Sequence, residues 1–279
     1  MFVPGDRFAR DLFRQLTGSG ALADSFAHRP LIAVEPPGGG GRGRGRGRVG
    51  SATVLSASGA APARLTLARF HAPQTCRYDG MVTELVLAFP PGGAAGRSTP
   101  RPNVAVVALL EAQPFAASVA PAPPALGRAA ALQLVNRLVR HVDSSATLVR
   151  PLVLDADQSA DAGEVVAAGT RYAVGFRARV LSRSSDTVLV TGVAMTDPEL
   201  KDVRWVMRPQ RTRLVGGVMP RGSTSKRYSV RGALAGQGKE PLLLLDEIAE
   251  DALRDSRATA VDAGTRRVIA AQPLALRCP

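Results

Sequence analysis

The sequence predicts a mainly β protein: a jelly-roll-like or sandwich core with two or three flanking α-helices. Three observations carry this. Two Val- and Leu-rich runs, 82–89 and 104–110, are too short for long helices, and a loop holding Pro90, Pro91, Gly92, Gly93, Gly96, Pro100 and Pro102 separates them. Residues 64–68 and 172–180 alternate between apolar and polar or charged side chains, the period of a half-buried strand. The chain is 45% hydrophobic but only 4% aromatic, so its core must be built from Val, Leu and Ala.

The elements follow in order. Residues 6–16 place Phe8, Leu12 and Leu16 four apart, with Arg7, Arg10 and Arg14 on other faces. That is a short amphipathic helix for Gly18 to end, packed on the core or serving as a basic membrane anchor. Residues 36–48 are a Gly/Arg-rich arm or linker, with Arg42, Arg44, Arg46 and Arg48 and no acid. Strands are expected at 52–56, 64–70, 82–89 and 104–110. A helix follows at 126–142, with Leu132, Val135, Leu138, Val139 and Val142 on one face. Strands resume at 147–154, 171–181 and 187–195, the last two joined as a hairpin through residues 182–186.

Gly216, Gly217, Pro220 and Gly222 make the centre of residues 203–232 a loop, and the plain reading of the stretch is strand–loop–strand with Trp205 in the core. Residues 242–257 read as an acidic amphipathic helix with Leu245, Ile248, Ala249, Ala252 and Leu253 inside. One edge strand is expected at 267–271. The chain thus divides into an N-terminal extension (1–35), the arm (36–48), a β-rich core domain (49–258) and a tail (259–279).

Charge bounds the function. Net charge is +13 and the isoelectric point about 11.2, which points to a polyanionic partner. Only three of the 36 cationic residues are lysines, Lys201, Lys226 and Lys239. A GC-rich coding sequence also spells basic residues as Arg, so the sum rather than the residue type is the argument. The stretch 203–232 holds Arg204, Arg208, Arg211, Arg213, Arg221, Lys226, Arg227 and Arg231 without one acid, interleaved with Trp205 and Tyr228. Such cations repel one another unless an anion lies among them, and the two aromatics offer faces for bases. Single-stranded RNA, or DNA by the same charge chemistry, is the expected partner. Recognition should be sequence-tolerant, because no patterned RNA- or zinc-finger motif is present.

Catalysis and cofactors are not expected. His28, His71 and His141 stand singly. Cys76 and Cys278 lack CxxC spacing, so no metal site and a reducing compartment are expected. Asp155, Asp157 and Asp161 lack the Gly and closing Glu of a calcium loop and read as a solvated acidic turn. No apolar run approaches the roughly 20 residues of a membrane span, and the N-terminus does not read as a signal peptide.

The segment Leu109-Leu110-Glu111-Ala112-Gln113 ends the second core run, where a Leu-x-Asp-x-Arg signature would stand. Leu109 is kept; Glu111 replaces the Asp and Gln113 the Arg. Gly169 precedes a long strand, and an acidic helix closes the core. Over residues 80–258 this order resembles the plant-virus cell-to-cell movement proteins of the tobacco-mosaic type, the thirty-kilodalton superfamily. The resemblance implies an all-β core of jelly-roll type, cooperative binding of single-stranded RNA, self-association, peripheral membrane contact and residence at plasmodesmata. Other readings stay open: a capsid or virion protein with an arginine arm, a basic ribosomal or assembly component, and an enzyme.

Overall fold

The computed structural model describes residues 1–27, 29–36, 51–56, 59–76, 78–89, 107–110, 118–119, 123–144, 147–154, 161–182, 186–235, 240–250, 255–274 and 278, with backbone alone at 51, 107–110 and 118–119. The arm arginines, Glu111, Gln113, Asp155 and Asp157 lie outside them, and Leu109 is described in backbone only. The protein is mainly β, as expected, with three helices among the described residues. It forms two compact units. The first comprises residues 1–55, 60–116 and 272–279; the second comprises 56–59 and 117–271.

The first unit holds β1 (Phe2–Pro4), α1 (Asp6–Thr17), α2 (Leu22–Ser25), β2 (Leu31–Val34), β3 (Ser51–Ser56), β4 (Gly59–His71), β5 (Val82–Ala88) and β6 (Val107–Leu110). Its sheet runs β1-β5-β4-β3-β6, with β2 also on β4. Of the predicted run 104–110, residues 107–110 are a described strand. The helix α1 ends at Gly18, whose φ of 77° takes the left-handed cap. Its Ala9, Leu12, Phe13 and Leu16 bury against Leu65, Ala68, Phe70 and Leu85 of the sheet, with Phe13 edge-on to Phe70. The apolar face is therefore covered by this unit's own core, which is the first of the two roles expected for it.

The second unit is a sandwich with a helix on one side. It contains β7 (Ser118–Val119), α3 (Arg128–Val142), β8 (Thr147–Leu148), β9 (Val153–Leu154), β10 (Ala162–Ala168), β11 (Arg171–Leu181), β12 (Thr187–Thr196), β13 (Arg204–Arg213), β14 (Lys226–Ala235), β15 (Leu242–Ala249), β16 (Arg257–Asp262) and β17 (Val268–Pro273). One sheet runs β13-β12-β11-β10-β9 with β8 on β11; the other runs β17-β16-β15-β14-β7. Strands β10 to β13 and β14 to β17 each follow chain order within one sheet. The sandwich, not the crossing connections of a jelly roll, is the form built.

Alternation along β11 explains the layers. Tyr172, Val174, Phe176, Ala178 and Val180 face α3 and pack on Leu134, Val135, Leu138 and Val139. Ala173 faces the other sheet and joins Val193, Val230, Leu243, Leu245 and Val261. β10 obeys the same rule at closer range. A Cβ on Gly163 would lie 2.7 Å from Val135 Cγ2, so only glycine lets α3 dock there. The next residue, Glu164, points the opposite way, into the sandwich.

One expected element is wrong. Residues 242–249 are a strand, not the start of a helix over 242–257. A helix presents one face to the core, yet Leu242, Leu243, Leu244 and Leu245 are all at most 3% exposed. Four consecutive buried leucines require an element covered on both faces, which a central strand supplies. The long strand expected at 147–154 is instead two short pieces, β8 and β9. Strands β1, β2, β7, β10 and β16 were not expected.

Candidate nucleic-acid interface

The stretch 203–232 forms an edge strand, β13, a loop, and an inner strand, β14. Val215 and Val218 bridge across Gly216 and Gly217, whose φ values of 59° and 79° make the tight turn that needs glycine. The expected absence of counter-acids holds only along the sequence. In the fold, acids from other segments reach most of these cations. Arg204 bonds Asp202 and Glu240, at 2.7 Å to the latter, and Asp202 beside it holds its guanidinium above the usual range. Arg211 bonds the carbonyl of Val142 at the end of α3 and pairs with Asp143. Arg213 pairs with Asp186 at 2.9 Å.

On β14 the acids come from β15, the segment expected to be helical. Lys226 Nζ lies 3.0 Å from Glu247, which also takes Arg257, and Arg231 Nε lies 2.8 Å from Asp246. Both carboxylates are buried, because the strand register sets them beside the basic strand. Burial pushes the Arg227 guanidinium down, with Glu250 opposing that shift. Arg208 and Arg221 are exposed and enter none of these pairs.

The aromatics also have structural places. Trp205 packs edge-on to Phe176, ring centres 6.1 Å apart, against the α3 layer. Tyr228 is 8% exposed inside the sandwich, and burial pushes its phenol up to about 12. A ring so enclosed has no face for a base, which removes Tyr228 from the expected contacts.

Sequence reasoning missed an ionic cluster inside the second unit. Asp161 is 2% exposed; its carboxylate accepts from Arg179 Nε at 2.8 Å and lies 3.5 Å from Arg177 Nη1. Arg177 Nε bonds Glu250 at 2.8 Å. Asp161 is thus an internal counter-ion, not part of a solvated turn. The signal was present in β11: Arg177 and Arg179 sit on the face that Ala173 shares with the sandwich interior.

The cysteines depart from expectation as well. Cys76 and Cys278 are joined in a disulfide across a sequence separation of 202, a bond typical of oxidising rather than reducing compartments. Among the described residues no helix is long and apolar enough to cross a membrane. No family model, curated protein or solved structure matches the chain.

Proposed function

We propose that the chain is a non-enzymatic, sequence-tolerant single-stranded nucleic-acid-binding protein, and that its role is that of a viral movement protein carrying RNA between cells. The observation that carries the binding is the charge sum. If every one of the 23 acids held a cation, a surplus of +13 would still face outward. The internal pairs divide the candidate contacts. Lys226 and Arg231 hold buried carboxylates and Arg204, Arg211 and Arg213 are engaged in surface pairs, whereas Arg208 and Arg221 are exposed outside these pairs; the arm arginines Arg42, Arg44, Arg46 and Arg48 join them as candidates on their charge in the sequence.

A filter-binding titration of the full chain on single-stranded RNA tests this. Each phosphate contact contributes about −0.7 to the log–log salt slope, so roughly six contacts give about −4. Replacing Arg208 and Arg221 by Ser should flatten the slope by about 1.4, and replacing the four arm arginines by about 2.8. Affinity that ignores salt would sink the proposal. Deleting 203–232 is not a usable test, because β14 is an inner strand of the sandwich. The arginine arm ahead of a sandwich also favours a virion protein. Closed particles from purified protein would select that reading, and fluorescence at cell junctions the movement reading.

A further inference from the structure

Two residues near in sequence and one remote from both meet in the first unit. His71 ends β4, Cys76 follows in the next turn, and Cys278 arrives from beyond β17. One ligating atom from each lies within 4.8 Å of the other two. His71 and Cys76 are each 2% exposed. Neither nitrogen of the His71 ring has a hydrogen-bond partner. A buried, unsatisfied polar atom is costly and rare in a native fold. A structural disulfide alone leaves that ring unexplained.

The geometry points to a zinc site, formed by His71 with Cys76 and Cys278 in their reduced state and closed off by the disulfide in the oxidised state. Two thiolates and one imidazole are the borderline-soft, tetrahedral donor set that Zn²⁺ takes, with water or a carboxylate in the fourth position. Glu84 on β5 stands beside the His71 ring as its outer partner. Its Oε2 lies 3.5 Å from His71 Nε2, and Arg69 holds the same carboxylate at 3.2 Å. With zinc on Nδ1, Nε2–H faces Glu84, the carboxylate–histidine pairing that orients ligating imidazoles. Charge also balances: two thiolates and Glu84 against Zn²⁺ and Arg69.

The two states exclude one another. Opening the site breaks the S–S bond. A dithiol reductant supplies two electrons and two protons and itself closes to a disulfide. Zinc then displaces both thiol protons to solvent, while neutral His71 gives a lone pair. At Zn–S distances of about 2.3 Å in a tetrahedron the sulfurs stand about 3.8 Å apart, which the disulfide forbids. The set shares no residue with the proposed nucleic-acid contacts, so the two proposals fail separately.

The test uses the full chain, oxidised or reduced with a phosphine, equilibrated with Zn²⁺ alone and then with Co²⁺ as a spectroscopic probe. The reduced chain should retain one zinc, and cobalt should show thiolate charge-transfer absorption; the oxidised chain should show neither. Cys278→Ser, at a half-buried position, should weaken zinc binding at least tenfold, as should His71→Gln; Glu84→Gln should weaken it about 10- to 100-fold. If His71→Gln fails to fold, Cys278→Ser still decides. A reduced chain that retains no zinc, zinc bound equally by the oxidised chain, or affinity untouched by Cys278→Ser would each overturn the site.

Discussion

Glu164 fastens the two sheets of the second unit, and removing it should cost about 2–4 kcal/mol. Its carboxylate accepts the Ser229 hydroxyl at 2.8 and 3.0 Å and the Val230 N–H at 2.6 Å. Both donors lie in β14, where the pairing with β15 shifts register between Val230 and Gly232. Glu164→Ala leaves two donors buried without an acceptor, at about 1–3 kcal/mol each. The hydroxyl can rotate to another partner and the backbone N–H cannot, so the sum falls below twice the upper figure. The pH dependence has a fixed sign. Burial pushes the Glu164 carboxyl above its usual 4.5, against the lowering effect of the Ser229 and Val230 bonds and of Arg231. The folded state therefore binds the proton more tightly than the unfolded chain does. The resulting stabilisation is complete below 4.5 and is lost as pH rises through the raised folded value. Urea denaturation of wild type, Glu164→Gln and Glu164→Ala, from the carboxylate range to neutrality, measures both effects. The wild-type advantage over Glu164→Gln should shrink with rising pH. An Ala variant within about 1 kcal/mol of wild type, or an advantage that grows with pH, would refute the role.

Gly163→Ala should destabilise the second unit by about 1–3 kcal/mol, because the new methyl meets Val135 of α3. Adding Val135→Ala should recover part of that loss, and strict additivity in the double-mutant cycle would contradict the docking argument. Asp161→Ala strands Arg179, and partly Arg177, in the sandwich. Both arginines keep some exposure, so about 2–3 kcal/mol is expected in urea rather than the full cost of a buried pair; a neutral substitution would show the cluster to be dispensable. In an alkaline spectrophotometric titration the phenol of Tyr228 should ionise at about 12, above the usual tyrosine value, and Tyr228→Phe should remove that step. An unchanged titration would place the ring in solvent.

How much of this was legible in the sequence depends on how far each signal reaches along the chain. Helices α1 and α3 and the hairpin β11–β12 rest on local periodicity, and they were found within two residues of their ends. β10 was missed because Gly163 and Ala167 dilute its apolar pattern; its strand character comes from pairing on β11. The disulfide joins segments 202 residues apart, and nothing in the spacing of two cysteines reports such a contact. Tyr228 looked like a stacking platform because basic neighbours surround it in sequence, while its ring turns into the sandwich.

The two largest misreadings share one cause. As a helix the acidic stretch 242–257 would hold its acids in water, and by sequence alone the basic stretch 203–232 is a set of cations lacking acids. Each error sustained the other. In the fold β14 and β15 are antiparallel neighbours, and register brings Lys226 to Glu247 and Arg231 to Asp246. The four leucines 242–245 already conflicted with a one-faced helix. Resolving that conflict toward a strand would have placed the acids beside a neighbouring strand, and the basic stretch was the nearest candidate in sequence. Charge counted along a segment measures what that segment must neutralise, whereas a polyanion meets only what remains after the strands have paired. Within 203–232 that remainder is Arg208 and Arg221 among the described residues, and the nucleic-acid proposal rests on those two side chains and on the charge of the arm rather than on the whole basic stretch.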